Sequence, residues 1–176
     1  MAVHRGDLRV VGSGLRDALT DRPDWRFHVV GRSAGVGEEL CLGAVRSETG
    51  WLPMPDYIQS LSDLSIGITP IADTPFNESK SYLKSLEMAA LGVPHVSSDM
   101  PEYRRLGAAL LASKPKFWRG ILRSLMDDHE LRIEQAIKAR DLASRHTYEL
   151  HAPKFMAAWT GMVAVESTDD DVLSVA

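Results

Sequence analysis

Lys80, Lys84 and Glu87 stand in a segment, Ile66 to Asp99, that reads as a buried strand, a polar loop, the start of a helix, a tight Gly-x-Pro stop and a second strand. With successive helical residues turned by about 100°, Lys84 lies roughly 40° from Lys80 and Glu87 roughly 20° to its other side. Leu83, Leu86, Ala89 and Ala90 fall on the opposite side, for a sheet to bury. A helix that begins beside the carboxyl end of a strand presents free N–H groups and the positive end of its dipole to an anion. Two lysines add charge there, and a carboxylate one to two turns along can accept hydrogen bonds from sugar hydroxyls. That is the chemistry of a site for a nucleotide diphosphate. The same residues also admit a plainer reading, with Lys84 and Glu87 as a solvated i,i+3 pair contributing about 0.2–0.5 kcal/mol.

The elements that would position these side chains alternate between the two periods. Leu8, Val11, Leu15, Ala18 and Leu19 recur at helical spacing, which predicts an amphipathic helix over residues 7 to 20. Trp25 to Val30 is strand-like and ends at Gly31, which opens a loop containing Gly35 and Gly37; a weaker strand is expected over Glu39 to Val45. A short helix follows from Asp56 to Leu61. Leu64 to Ile71 is a nearly continuous apolar run, the pattern of a strand covered on both faces. The helix at 80 to 91 comes next, then a strand at His95 to Ser98, a short helix at Pro101 to Leu106 and a last short strand at Ala108 to Ala112. Beyond these the chain is helical. Strands alternating with helices imply an α/β fold, a mostly parallel sheet with helices on both faces and a helical carboxyl-terminal end. Ligands in such sheets bind outside the carboxyl ends of the strands. The Gly31 loop, the Pro70 to Lys80 loop and the Ser97 to Pro101 loop emerge on that edge.

Composition narrows the classes. The chain has 176 residues, 44% hydrophobic, enough for one soluble domain with a real core. A net charge of −4 argues against a nucleic-acid footprint. Cys41, inside Leu40-Cys41-Leu42, cannot form an internal disulfide and reads as a core residue, so a reducing, cytoplasmic setting is the default expectation. Six histidines show no metal spacing, and no metal or cofactor is indicated. No apolar run approaches the ~20 residues of a membrane span. One domain over residues 1 to 165 is expected, with 166 to 176 as a frayed acidic tail. The glycines of Gly31 to Gly37 do not match a dinucleotide fingerprint; they read as turn chemistry or as a phosphate or sugar contact, with Arg32 as the side chain to watch.

The run from Phe76 to Pro94, Phe-Asn-Glu-Ser-Lys-Ser-Tyr-Leu-Lys-Ser-Leu-Glu-Met-Ala-Ala-Leu-Gly-Val-Pro, resembles the donor-binding segment of retaining glycosyltransferases of the GT-B class. His4-Arg5-Gly6-Asp7-Leu8 looks like the opening of the helix after the first strand of that class's carboxyl-terminal domain, and Asp63 to Pro70 and Pro101-Glu102-Tyr103 look like later parts of it. The resemblance covers about residues 4 to 164. It implies a Rossmann-like donor-binding domain without its amino-terminal, acceptor-binding half and without most of its own first strand. By the same resemblance Glu87 binds the ribose hydroxyls, while Asn77, Ser79, Lys80, Ser81 and Lys84 are candidates around the diphosphate and sugar; Arg32 joins them only through the glycine-loop reading above. The family's first glutamate, eight positions before Glu87, is Ser79 here, and Lys80-Ser81-Tyr82 stands where Gly-aromatic-Gly is usual.

The expected function is therefore the donor-binding half of a glycosyltransferase, taking a nucleoside-diphosphate sugar as substrate and relying on a partner domain or self-association. A non-catalytic nucleotide-binding or protein-interaction remnant is the competing reading. A flavodoxin-like regulatory domain fits the element order but lacks clustered aspartates at the end of its first strand.

Overall fold

The computed structural model describes residues 6–31 and 46–161. The chain divides into two compact units, Met1–Ala143 and Ser144–Ala176. Cys41, Arg32, Gly35, Gly37 and the strand expected at Glu39 to Val45 lie outside the described residues, as does the acidic tail.

In the first unit a 3-10 turn, Asp7–Val10, leads into α1, Gly14–Leu19. The single helix expected over 7 to 20 is broken at Gly12, whose φ of +51° interrupts the helical path. The break lets this segment close on Pro115 and Trp118, because Gly12 and Gly14 bring no Cβ to the contact. Strands β1, Phe27–Val30, and β2, Arg46–Thr49, pair in parallel with Phe27 opposite Arg46. Helix α2, Met54–Ser62, leads to β3, Gly67–Thr69.

The helix expected at 80 to 91 begins three residues later, at Leu83, and a separate short helix lies ahead of it. Thr74 caps α3, Pro75–Glu78, its hydroxyl accepting the Asn77 N–H at 3.2 Å, and Pro75 at the first position has no N–H to satisfy. Residues 79 to 82 are non-helical, and α4, Leu83–Ala90, begins at Leu83. It stops at Gly92, with φ of +71°, ahead of Pro94. Its buried residues are Ser85, Met88 and Ala89, whereas Leu83 and Ala90 are exposed, so the face laid on the sheet is rotated from the one anticipated.

Strand β4, His95–Ser98, pairs in parallel with β3 on one side and with β5, Leu110–Ala112, on the other. Between them lies α5, Pro101–Leu106. Helices α6, Pro115–Asp127, and α7, His129–Ser144, follow. This is a Rossmann-like α/β fold with a helical carboxyl-terminal end. Its described strands form two parallel sheets, β1-β2 and β3-β4-β5. One layer of core contains Leu15, Leu19, Trp118, Leu122 and Leu125 from α1 and α6; another contains Leu61, Met88 and Val93 from α2, α4 and the turn before β4.

The second unit carries α8, Tyr148–Trp159, none of whose residues is buried; Trp159 is 91% exposed.

Candidate functional site

The polar groups of the first unit gather at the carboxyl ends of β3 and β4. The hydroxyls of Thr69 and Ser97 are hydrogen-bonded across the pair, and the Ile71 N–H donates to Ser98 Oγ at 2.8 Å. The chain leaving β3 is tied back to the 3-10 turn through Asp7, which is buried. One oxygen of its carboxylate accepts the Ala72 N–H at 3.0 Å and Asn77 Nδ2–H at 2.9 Å. Asn77 also donates to the Ala72 carbonyl at 2.7 Å, so its amide donors hold the loop in place. A buried carboxylate that accepts several hydrogen bonds and faces a cation is stabilised where an isolated one would not be.

That cation is Lys80. Its ammonium lies 3.7 Å from the other Asp7 oxygen and 5.1 Å from the centre of the Phe76 ring. It is shut off from solvent and has no hydrogen-bond partner among the described residues. Since α4 starts only at Leu83, Lys80 does not share a helical face with Lys84 and Glu87; it points inward to Asp7. Helical spacing does not apply across the non-helical residues 79 to 82, and the buried Asp7 charge sets the direction instead.

Lys84 and Glu87 are on one face of α4, and both line a cleft of about 400 Å³ together with Tyr57 of α2 and Thr69 of β3. The Tyr57 hydroxyl donates to Glu87 Oε2 at 3.2 Å. Burial first, then the charge and hydrogen bond of Glu87, raise the Tyr57 pKa and keep it a donor. The Lys84 side chain is exposed as a whole, yet protein atoms thin the water around its ammonium. That desolvation lowers its pKa, and the nearby Lys80 charge lowers it further, against the opposing pull of Asp7 and Glu87. Lys80 and Lys84 therefore contribute to one positive field although only Lys84 faces the cleft.

Ser79 and Ser81 are exposed, Ser79 with only a long 3.5 Å contact to the Pro75 carbonyl, and Arg32 is outside the described residues. Of the residues anticipated from the sequence, the structure brings Lys84 and Glu87 together at the cleft, turns Lys80 beneath it and gives Asn77 a structural role. The sequence reading missed Tyr57, which lies thirty positions from Glu87. Its prior signal was no more than a large amphipathic residue beside Ile58 on a short helix.

Ser85 and His95 form a second polar pair, with Oγ and Nε2 2.6 Å apart, but both are sealed in the core. They cannot meet a substrate. Among the described residues no group of three or more histidine, cysteine or acidic side chains could hold a metal, and no helix is long and apolar enough to cross a membrane.

The arrangement is that of a Rossmann-like domain of the GT-B type, with its candidate polar site at the carboxyl ends of the strands. Two solved structures share the fold. WaaG, a glycosyltransferase involved in lipopolysaccharide biosynthesis, matches 85% of this chain at 17% identity with a TM-score of 0.63. A protein from Listeria monocytogenes assigned as a UDP-N-acetylglucosamine 2-epimerase matches 93% at 13% identity with a TM-score of 0.58. In each case the match covers 44% of the other chain, so this chain spans less than half the length of either. No protein-family model matches the sequence, and no curated protein sequence matches it.

Proposed function

We propose that this chain is the donor-binding half of a glycosyltransferase, holding a nucleoside-diphosphate sugar for transfer to an acceptor carried by a partner domain. The observation that carries the reading is the Lys84, Glu87 and Tyr57 cluster at the strand ends of a GT-B-like fold. Lys84 and the free N–H groups at the start of α4 face the diphosphate, with the Lys80 charge behind them. Glu87, steadied by Tyr57, accepts hydrogen bonds from the ribose hydroxyls. Transfer then draws on electrostatic stabilisation of the leaving diphosphate, with Lys84 as the principal side chain.

Calorimetric titration of the purified chain with UDP-, GDP- and ADP-sugars tests this. One of them should bind measurably, and Glu87→Gln should weaken it about tenfold or more, since a hydrogen bond to a charged group contributes about 1.5–3 kcal/mol. Transfer by the chain alone should be slight, because much of the rate comes from holding donor and acceptor together. Binding that is equal in wild type and Glu87→Gln would remove Glu87 from the site. Failure of every nucleotide sugar to bind would favour the non-catalytic remnant.

A further inference from the structure

Phe76 stands exposed on a segment whose backbone is firmly held. Thr74 caps α3, Pro75 opens it, and Asn77 is buried, donating to the Asp7 carboxylate at 2.9 Å and to the Ala72 carbonyl at 2.7 Å. The residue between these anchors is nevertheless 66% exposed. A lone apolar side chain in solvent is ordinary on a protein surface. This one carries an ion on one face: the Lys80 ammonium lies over the ring, 5.1 Å from its centre, and faces Asp7 at 3.7 Å. What the solvent meets is the other face and the rim of the ring.

The order of groups along α4 says what reaches that ring. Glu87 lies three residues, about 4.5 Å along the axis, from Lys84, which is one residue inside the start of the helix at Leu83. Ahead of that start along the chain come the non-helical residues 79 to 82 and then α3. A nucleoside diphosphate with its ribose on Glu87 and its phosphates on Lys84 therefore points its terminal phosphate, and the group attached to it, past the helix start. Lys80 links the two parts, since its charge is felt at Lys84 while its ammonium lies over Phe76. The exposed residues near the ring along the chain, Asp73, Thr74, Glu78 and Ser79, offer hydroxyl and carboxylate oxygens but no cation.

Resting on the donor-binding reading, we propose that Phe76 is a specificity-determining residue: its open face packs against the sugar carried by the diphosphate, and the sugar it selects is an uncharged pyranose. A flat apolar ring takes the face of a pyranose from which C–H bonds rather than hydroxyls project, and bringing the two faces together removes apolar area from water. Hydroxyls at the rim of the sugar then find acceptors among the oxygens of the flanking residues. A sugar carboxylate there would meet Asp73 and Glu78, with Lys80 already committed to Asp7. Because Thr74 and Asn77 fix the segment before the ligand arrives, little ordering of the backbone is left for binding to supply.

Calorimetric titration of wild type, Phe76→Ala and Phe76→Tyr with UDP-glucose, GDP-mannose and ADP-glucose, and with UDP, GDP and ADP alone, tests this. For the nucleotide that binds, Phe76→Ala should weaken the sugar-bearing form about fivefold to tenfold and the parent diphosphate by no more than about twofold, while Phe76→Tyr should bind both as wild type does. Replacing the sugar by its uronate should also weaken binding to wild type. Equal losses with and without the sugar would overturn the stacking role, because Phe76 would then act through Lys80 on the phosphates. Unchanged affinity in Phe76→Ala, or binding of the parent diphosphates alone, would overturn it as well, and a uronate bound as tightly as the neutral sugar would overturn the selection against charge. Each of those results leaves the donor-binding reading in place. Failure of all six compounds to bind would overturn that reading, and this inference with it.

Discussion

Acidification should remove stability from this fold through His95. The ring is buried on β4, with Nε2 2.6 Å from Ser85 Oγ and Nδ1 3.1 Å from the Val93 carbonyl. The neutral tautomer satisfies all of these atoms, Nδ1–H donating to the carbonyl and the Ser85 hydroxyl donating to Nε2. Burial pulls the pKa from 6.5 down to about 4, against the opposing effect of the Val93 carbonyl. Between those two values the unfolded chain binds the proton and the folded chain does not, so stability falls as the pH falls. At about 1.36 kcal/mol per pH unit, the loss across the window is about 3 kcal/mol, and below it the residue costs nothing further. Urea unfolding of wild type and His95→Gln at a series of pH values from 7 to 4 measures it. Carboxylates titrate in both proteins, so the difference isolates His95. The wild type should lose about 3 kcal/mol more than the variant over that range. Parallel pH profiles would refute the neutral, core-sealed histidine.

Two further perturbations probe the frame around the site. Asp7→Asn leaves the Lys80 ammonium shut off from solvent without its counter-charge, and should lower the unfolding free energy by about 2–4 kcal/mol in urea melts. Adding Lys80→Met should recover part of that loss, and no recovery would show that Asp7 acts through the loop alone. Gly14→Ala drives a Cβ into the Pro115 carbonyl oxygen and places it 3.0 Å from Trp118 Cβ. It should cost about 1–3 kcal/mol by forcing α1 away from α6, although alanine is the better helix former. A neutral Gly14→Ala in thermal melts would mean the two helices are not held at that distance.

Much of the fold was present in the sequence because its signals are local. The apolar run at Leu64 to Ile71, the Gly92-x-Pro94 stop, Pro101 at the start of α5 and the alternation of strand and helix periods depend only on residues close together along the chain. They define an α/β fold and place the loops at the strand ends. Lys84 and Glu87 were legible for the same reason, three residues apart on one short helix. Tertiary structure decided the remainder. Lys80 was expected on the face of α4, but the buried Asp7 carboxylate, more than seventy positions earlier, draws its ammonium inward. Asn77 is engaged by the same carboxylate and by Ala72. Tyr57 reaches Glu87 only because α2 and α4 lie on the same face of the sheet layer. No periodicity encodes such pairings, because long-range contacts are fixed by how the layers pack. The division into two sheets is of the same kind. Each strand's pattern says that it is buried, but only the packed arrangement shows that β1 and β3 line a common cleft.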